Sequence, residues 1–290
     1  MIHRTIALIA DCDDTLARDT TGQLLQHFGV DKDQFYRERE APLVNDGWDP
    51  PLAYLHEILQ LAREGRLDHL TKTTLEEIGR DLELYPGVPE FFSQLRAEVE
   101  QHEAYKEHGI KVQYYVITGG IEDLVAASPI GDAVDDIWGC NFAYDDDGRV
   151  VFPRCVVSFT EKTRFLFNIQ KGFVGHKYKN LPYIVNVPMD PEDRPIPFHN
   201  MVYLGDGPSD IPCMSLLGKE RGQTIGIYCE EDVSRIWALA YGRRANFTME
   251  PNYSEGGSTY GMLRHVLMRI AAAIVRRIEF DEAELTGLTY

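Results

Sequence analysis

Long apolar runs are missing from this 290-residue sequence. Its opening stretch, MIHRTIALIADCDD, meets acidic residues after a short apolar run, so it is too short for a membrane span and lacks the cleavage pattern of a signal peptide. Low-complexity tracts and repeat periods are missing too, which excludes a solenoid or a disordered chain. We therefore expect a soluble cytoplasmic protein that has no membrane partner.

Positive charge is scarce, since 29 Lys and Arg against 46 Asp and Glu give a net charge of −17. Such a chain repels nucleic acids and anionic membranes at long range, although a local basic site could bind a small anion. We expect a small ligand and no nucleic acid. The cysteines lack the paired spacing of metal motifs, which predicts reduced core residues: Cys12, Cys140, Cys155, Cys213 and Cys229.

Four short apolar runs each end in a polar or glycine-rich turn: TIALIADCDD, VQYYVITGG, NMVYLGDG and TIGIYC. This pattern is typical of buried parallel strands. Helical segments separate the runs, which predicts an α/β fold with a Rossmann-like parallel sheet. The carboxyl ends of its strands should face one crevice.

Residues 17–85 have helical periodicity and predict an inserted helical cap domain. Within them, PPLAYLHEILQLAREG places an apolar face on one helix, and Thr74 with Glu77 predicts a capping box for the next helix. The face consists of Leu52, Leu55, Ile58, Leu59 and Ala62.

Residues 1–16 and 86–290 should then form the core domain. After Pro89 we expect one helix that continues to Gly109, and Asp147-Gly148 predicts a hairpin over about 142–153. Five prolines make about 172–199 an irregular loop. The final amphipathic segment, TYGMLRHVLMRIAAAIVRRIEF, predicts a helix that closes the core with a basic solvated edge.

Alternating carboxylates leave the first strand at Asp11 and Asp13. Acids held this close bind a divalent cation or divide nucleophilic and acid/base work, whereas the alternative is a solvated loop or helix cap. Thr118 and Gly119 end the second strand, where a hydroxyl and backbone amides can hold phosphoryl oxygens. Lys162 lies at a helix start, a position where a lysine is otherwise simply solvated.

A second acidic pair, Asp206 and Asp210, follows the strand NMVYLGDG and suits an oxygen-ligated magnesium ion. In this order the pieces DxDxT, TGG, lysine and GDGxxD resemble the haloacid dehalogenase-like (HAD-like) phosphatases. LYPGVPEF, WGCNFAYDDDGRV and EKT are most similar to the phosphoserine phosphatase branch, whose cap is also inserted after the first strand.

The resemblance implies a magnesium-dependent phosphatase that hydrolyses a small phosphomonoester through an aspartyl-phosphate. It implies that Asp11 is the nucleophile, that Asp13 is the acid and base, and that Thr118, Gly119 and Lys162 bind the phosphoryl group. The implied Mg²⁺ ligands are Asp11, the Asp13 carbonyl, Asp206 and Asp210, the last as a ligand or a nearby acid.

The sequence departs from the phosphoserine phosphatases at LARDTTG, where that branch usually has a glutamate that meets the substrate's ammonium group. Phosphoserine is therefore not assigned as the substrate, and no role is assigned to the cap residues Tyr36, Arg37, Arg39 and Trp48. Two other functions stay open: a phosphomutase of the same superfamily, and a catalytically silent ligand-binding homologue. Homo-oligomerisation is compatible with the sequence.

Overall fold

The computed structural model describes residues 3–228 and 244–285 of the chain, the last four through their backbone alone. Seven strands within these ranges form one sheet: β1 (Thr5–Ala10), β2 (Lys111–Ile121), β3 (Asp136–Tyr144), β4 (Val150–Cys155), β5 (Met201–Gly205), β6 (Gln223–Ile227) and β7 (Phe247–Met249). Their order is β4-β3-β2-β1-β5-β6-β7, and neighbours run parallel except for β3 and β4. The predicted α/β fold with a Rossmann-like sheet is confirmed.

Strand β1 lies at the centre of the sheet, and both of its faces are buried. Ala7 and Ile9 belong to one hydrophobic cluster, whereas Ile6, Leu8 and Ala10 belong to the other. Successive side chains of a strand point to opposite faces, so a strand that is covered on both sides has to be apolar at every position. This is why the sequence of β1 is a continuous apolar run.

The segment between β1 and β2 is helical up to Arg80. Its helices are α1 (Thr20–His27), α2 (Lys32–Phe35), a π-helical turn (Tyr36–Glu40), α3 (Ala41–Asn45), α4 (Pro50–Arg63) and α5 (Lys72–Arg80). Two details of the prediction are wrong. Leu52 is 37% exposed, because the buried face of α4 runs through Tyr54, Leu55 and Ile58 instead. The cap of α5 is Thr71, whose hydroxyl accepts from the Thr74 amide.

Helices also flank the remaining strands: α6 (Glu90–Glu100), α7 (Glu103–Lys106), α8 (Glu122–Ala127), α9 (Glu161–Gln170), α10 (His176–Lys179), α11 (Ile211–Lys219) and α12 (Ser258–Leu285). The expected continuous helix to Gly109 is wrong. It ends at Glu100, and His102 caps the separate helix α7 through its ring nitrogen.

The hairpin predicted around Asp147-Gly148 is present, with Gly148 at φ +76° and the antiparallel arms β3 and β4. Strand β3 begins earlier than expected and pairs with β2, so the hairpin extends the main sheet. Between 172 and 199 only short helices interrupt an irregular course: α10 and three single 3₁₀ turns, at Ile184–Asn186, Pro191–Asp193 and Phe198–Asn200.

Helix α12 covers one face of the sheet with an apolar stripe that includes Leu263, Leu267 and Ile274, as predicted.

The four cysteines within the described ranges are free thiols: Cys12, Cys140, Cys155 and Cys213. Cys229 lies outside the described residues. Among the described helices, none combines the length and apolarity needed to cross a membrane.

Candidate active site

The predicted site residues converge where β1, β2 and β5 end. Asp11 directly follows β1, and Asp206 directly follows β5. Thr118 lies in the last part of β2. These three strands are neighbours and run parallel, so their carboxyl ends meet at one edge of the sheet. The first turn of α9 adds Lys162 at the same place, since its ammonium group contacts Asp11.

Lys162 is the cation at the centre of this site. Its side chain is 1% exposed, and its ammonium group donates to Asp11 Oδ2 at 2.7 Å, to Asp210 Oδ1 at 2.8 Å and to Ser209 Oγ at 3.1 Å. An ammonium group has three hydrogens, so all its donors are used. Lys162 therefore holds the strand end after β1 against the start of α11.

Asp210 is held from several sides. Its Oδ1 also accepts from the Tyr203 hydroxyl at 2.7 Å, and its Oδ2 accepts from the Gly207 amide at 3.2 Å. The bond to Gly207 closes the tight turn Pro208–Asp210 that precedes α11. With its oxygens occupied in this way, Asp210 orients Lys162 and fixes the turn that carries Asp206.

The acidic groups fit a divalent cation. Oxygen atoms of Asp11, Asp206 and Asp210 lie within 4.8 Å of one another, and the three residues are buried. Carboxylates this close together repel one another, and a divalent ion held between them would offset that repulsion. Carboxylate oxygens are the ligands that Mg²⁺ takes in proteins.

The pKa values of the buried groups also favour a bound cation. Burial raises the pKa of Asp11 well above its usual range; Lys162 opposes this shift, and the charges of Asp210 and Asp206 add to it. Burial alone would lower the pKa of Lys162, but the charges of Asp11 and Asp210 raise it overall, so the ammonium stays charged. A bound cation would favour the ionised form of Asp11, which is the form that can act as a nucleophile.

Asp13 lies beside this cluster in a different environment. Its Oδ1 accepts from the Thr20 amide at 2.7 Å, and its Oδ2 lies 3.4 Å from the Thr118 hydroxyl. Burial raises the pKa of Asp13 to about 6; the charge of Asp19 raises it further, and hydrogen bonds from Thr20 oppose the shift. A carboxyl group with this pKa can both release and accept a proton near neutral pH.

A cavity of about 770 Å³ opens in front of these groups. The strand ends contribute Asp11, Asp13 and Gly119 to its wall, and the helical segment contributes Tyr36, Glu40 and Tyr54. The Tyr54 hydroxyl donates to the Gly119 carbonyl at 2.8 Å, which ties α4 to the end of β2. The helical segment therefore closes over the end of the sheet that carries the acids.

Of the four cap residues left without a role, Tyr36 alone lines this cavity. Arg37 pairs with Glu38, Arg39 pairs with Glu57 and Glu64, and the Trp48 ring packs 5.0 Å from that of His56. The sequence reasoning missed five residues at the site: Asp19, Glu40, Tyr54, Tyr203 and Ser209. Tyr36 and Glu40 are the first and last residues of the π-helical turn. Such turns often occur at functional sites, and no pattern in the sequence predicted this one.

The side chain of Asp13 lies close to Gly120, so a substitution of this glycine tests the position of Asp13. A Cβ on Gly120 would lie 2.5 Å from Asp13 Oδ2 and 3.2 Å from the Thr118 and Thr20 hydroxyls. Gly120→Ala should therefore displace Asp13 and lower kcat/KM for the activity proposed below about a hundredfold. Gly218→Ala is the control, because its Cβ would meet no atom within 4 Å. Equal activity of the two variants would contradict the placement of Asp13.

The sheet order can be compared with that of solved structures. Two phosphoserine phosphatases share this fold, which is the one that the HAD-like motifs predicted. One is described as a phospho-aspartyl intermediate analogue of phosphoserine phosphatase; it has a TM-score of 0.51 and 15% identity, over 91% of this chain and 99% of that chain. A probable phosphoserine phosphatase from Vibrio cholerae, in unliganded form, has a TM-score of 0.54 and 15% identity, over 94% of this chain and 67% of that one.

Sequence comparison adds one relative of similar length. An uncharacterized protein of Borreliella burgdorferi is 28% identical over an alignment of 282 residues, which covers 89% of this chain and 95% of that protein. No protein-family model matches the chain. The likeness to the solved structures is therefore one of fold, and the chemistry has to be inferred from the site itself.

Proposed function

We propose that this protein is a magnesium-dependent phosphatase that hydrolyses a small phosphomonoester through an aspartyl-phosphate. The observation that carries the proposal is the contact between Lys162 and Asp11 at 2.7 Å, with Asp13 beside it at the head of the cavity. A buried nucleophile, a cation and a carboxyl group of raised pKa are the parts that phosphoryl transfer to a side chain requires.

In the first step an oxygen of Asp11 attacks phosphorus, and the bond from phosphorus to the ester oxygen breaks. Asp13 gives its proton to the leaving oxygen, so that an alcohol departs and the phosphoryl group stays on Asp11. Thr118, Gly119 and Lys162 hold the other phosphoryl oxygens. Lys162 would exchange its contact with Ser209 for one with a phosphoryl oxygen, while Asp210 keeps its ammonium in place.

In the second step Asp13, now ionised, takes a proton from water. The resulting hydroxide attacks phosphorus, and the bond from phosphorus to Asp11 breaks. Inorganic phosphate leaves, and the Asp11 carboxylate is restored. The same residue serves as acid and then as base, which its pKa of about 6 supports.

A magnesium ion would be held by Asp11, the Asp13 carbonyl and Asp206, with Asp210 nearby. When bound, it supplies positive charge that offsets the repulsion between the nucleophile and the phosphate. The three buried carboxylates with one ammonium support this assignment.

We further propose that residues 17–85 act as the cap that selects the substrate. The wall formed by Tyr36, Glu40 and Tyr54 supports this role, as does the hydrogen bond from Tyr54 to Gly119. The size of the cavity agrees with a small ligand, since ligand cavities measure about 300–1,000 Å³.

Release of inorganic phosphate from para-nitrophenyl phosphate tests the proposal. We expect the rate to rise at least about tenfold when Mg²⁺ is added to metal-free protein, because burial and the charges of Asp210 and Asp206 disfavour the ionised nucleophile. No sugar bisphosphate should be needed. Activity that requires such an activator would indicate a mutase, and a rate that is the same in EDTA and in Mg²⁺ would overturn the metal assignment.

A further inference from the structure

A second concave site lies far from the carboxylates and has the opposite charge. We call it the arginine groove: a cavity of about 350 Å³ lined by Arg221, Arg269, Arg276, Arg277 and His199, with Gln223 at its wall. Arg221 precedes β6, His199 precedes β5, and the other three arginines come from α12. Four arginines meet here in a chain whose net charge is −17.

The arginine groove has no negative counter-charge within the described ranges. No carboxylate lines it, and none of its four guanidinium groups forms an ion pair with a described residue. The contacts that they make are neutral: Arg269 donates to the Gln223 side chain, and Arg277 contacts the Ala273 carbonyl and the His199 ring. By contrast, Arg264, on the same helix, pairs with Glu98. The groove therefore concentrates uncompensated positive charge.

The positive charge of the groove also acts on His199, which lines it. Burial lowers the pKa of His199, and the positive charges of Arg277, His3 and Arg221 lower it further. The groove thus disfavours further positive charge, and an anionic ligand would relieve the repulsion between its charged groups.

The groove is separate from the active site. It lies where β5 and β6 begin, whereas the carboxylates lie where the strands end. The five residues of β5 span about 17 Å at 3.3 Å per residue. None of the groove residues lines the catalytic cavity.

We propose that the arginine groove binds a small polyvalent anion with neighbouring phosphoryl groups. Guanidinium groups match phosphoryl oxygens through paired, charge-assisted hydrogen bonds, and several of them facing one cavity favour an anion with more than one charge. A small ligand is favoured because the net charge of −17 repels large polyanions at long range. The cavity has the volume of a small-molecule site.

Isothermal titration calorimetry with inorganic pyrophosphate tests the site in metal-free buffer of low ionic strength. Without metal the catalytic cluster is negative and should not compete for the anion. We expect the natural chain to bind one pyrophosphate, and the double variant Arg276→Gln/Arg277→Gln to bind about tenfold or more weakly, because two charged donors are lost. Arg264→Gln, on the same helix but outside the groove, is the matched control and should bind as the natural chain does.

The side chains of Arg276 and Arg277 are exposed, so the double variant should melt at the same temperature as the control. Absence of pyrophosphate binding to the natural chain would overturn the site. Equal affinity of the double variant and the control would also overturn it. Citrate that binds as tightly as pyrophosphate would overturn the assignment to phosphoryl groups.

Discussion

Asp11→Asn should lower the turnover of para-nitrophenyl phosphate at least about a thousandfold, since removal of a covalent nucleophile takes away the main route. An asparagine cannot form the acyl phosphate. It keeps an oxygen that can accept from the Cys12 amide, as Asp11 does at 2.8 Å. Release of para-nitrophenol at saturating Mg²⁺ measures the effect.

The variant should remain folded, which separates loss of chemistry from loss of structure. Lys162 keeps its contacts with Asp210 and Ser209, and the substitution removes one of three crowded carboxylates. Asp132→Asn, at an exposed position, is the control for loss of one acid and should retain full activity. An Asp11→Asn chain that keeps more than a tenth of the natural activity would rule out the covalent role.

Lys162→Met should destabilise the metal-free protein by about 3–5 kcal/mol, because it leaves buried carboxylates without their cation. The side chain is 1% exposed and bridges Asp11 and Asp210. Methionine fills a similar volume, so the lost charge accounts for most of the effect. Unfolding in urea, followed by circular dichroism, gives the difference in free energy of unfolding.

Lys72→Met is the matched control, since Lys72 is half exposed and pairs with Glu76 on the surface of α5. It should cost less than about 1 kcal/mol. Mg²⁺ should restore part of the stability of Lys162→Met, because the bound cation would offset the negative charge of the carboxylates that have lost Lys162. A loss no larger than that of the control would show that Lys162 does not balance the buried acids.

The parts of the site that follow directly from strand ends were predictable from sequence. Asp11, Thr118 and Asp206 each lie within a few residues of a buried apolar run, and parallel strands bring such positions to one edge. Strand β3 was not predicted, because WGCNFAY was interpreted only in connection with the hairpin that follows it. Strand β7 has only three residues, too few for a pattern.

Other features depend on contacts between distant segments. Tyr54 has the periodicity of a core residue, yet its hydroxyl reaches Gly119, which is 65 positions away in sequence. The Tyr203 hydroxyl donates to Asp210, yet in the sequence Tyr203 is only a strand residue that precedes a turn. At the start of α5 the sequence offers three threonines, Thr71, Thr73 and Thr74, and it did not show that the cap is Thr71.

The covalent step can be tested most directly by mass spectrometry of protein quenched with acid during turnover of para-nitrophenyl phosphate. In Asp13→Asn the first step should proceed, because nitrophenolate leaves without a proton, whereas hydrolysis of the intermediate should slow for want of a base. We predict that the chain gains the mass of one phosphoryl group on the peptide that contains Asp11, and that Asp11→Asn abolishes the gain. Steady phosphate release without any phosphorylated chain would contradict the mechanism.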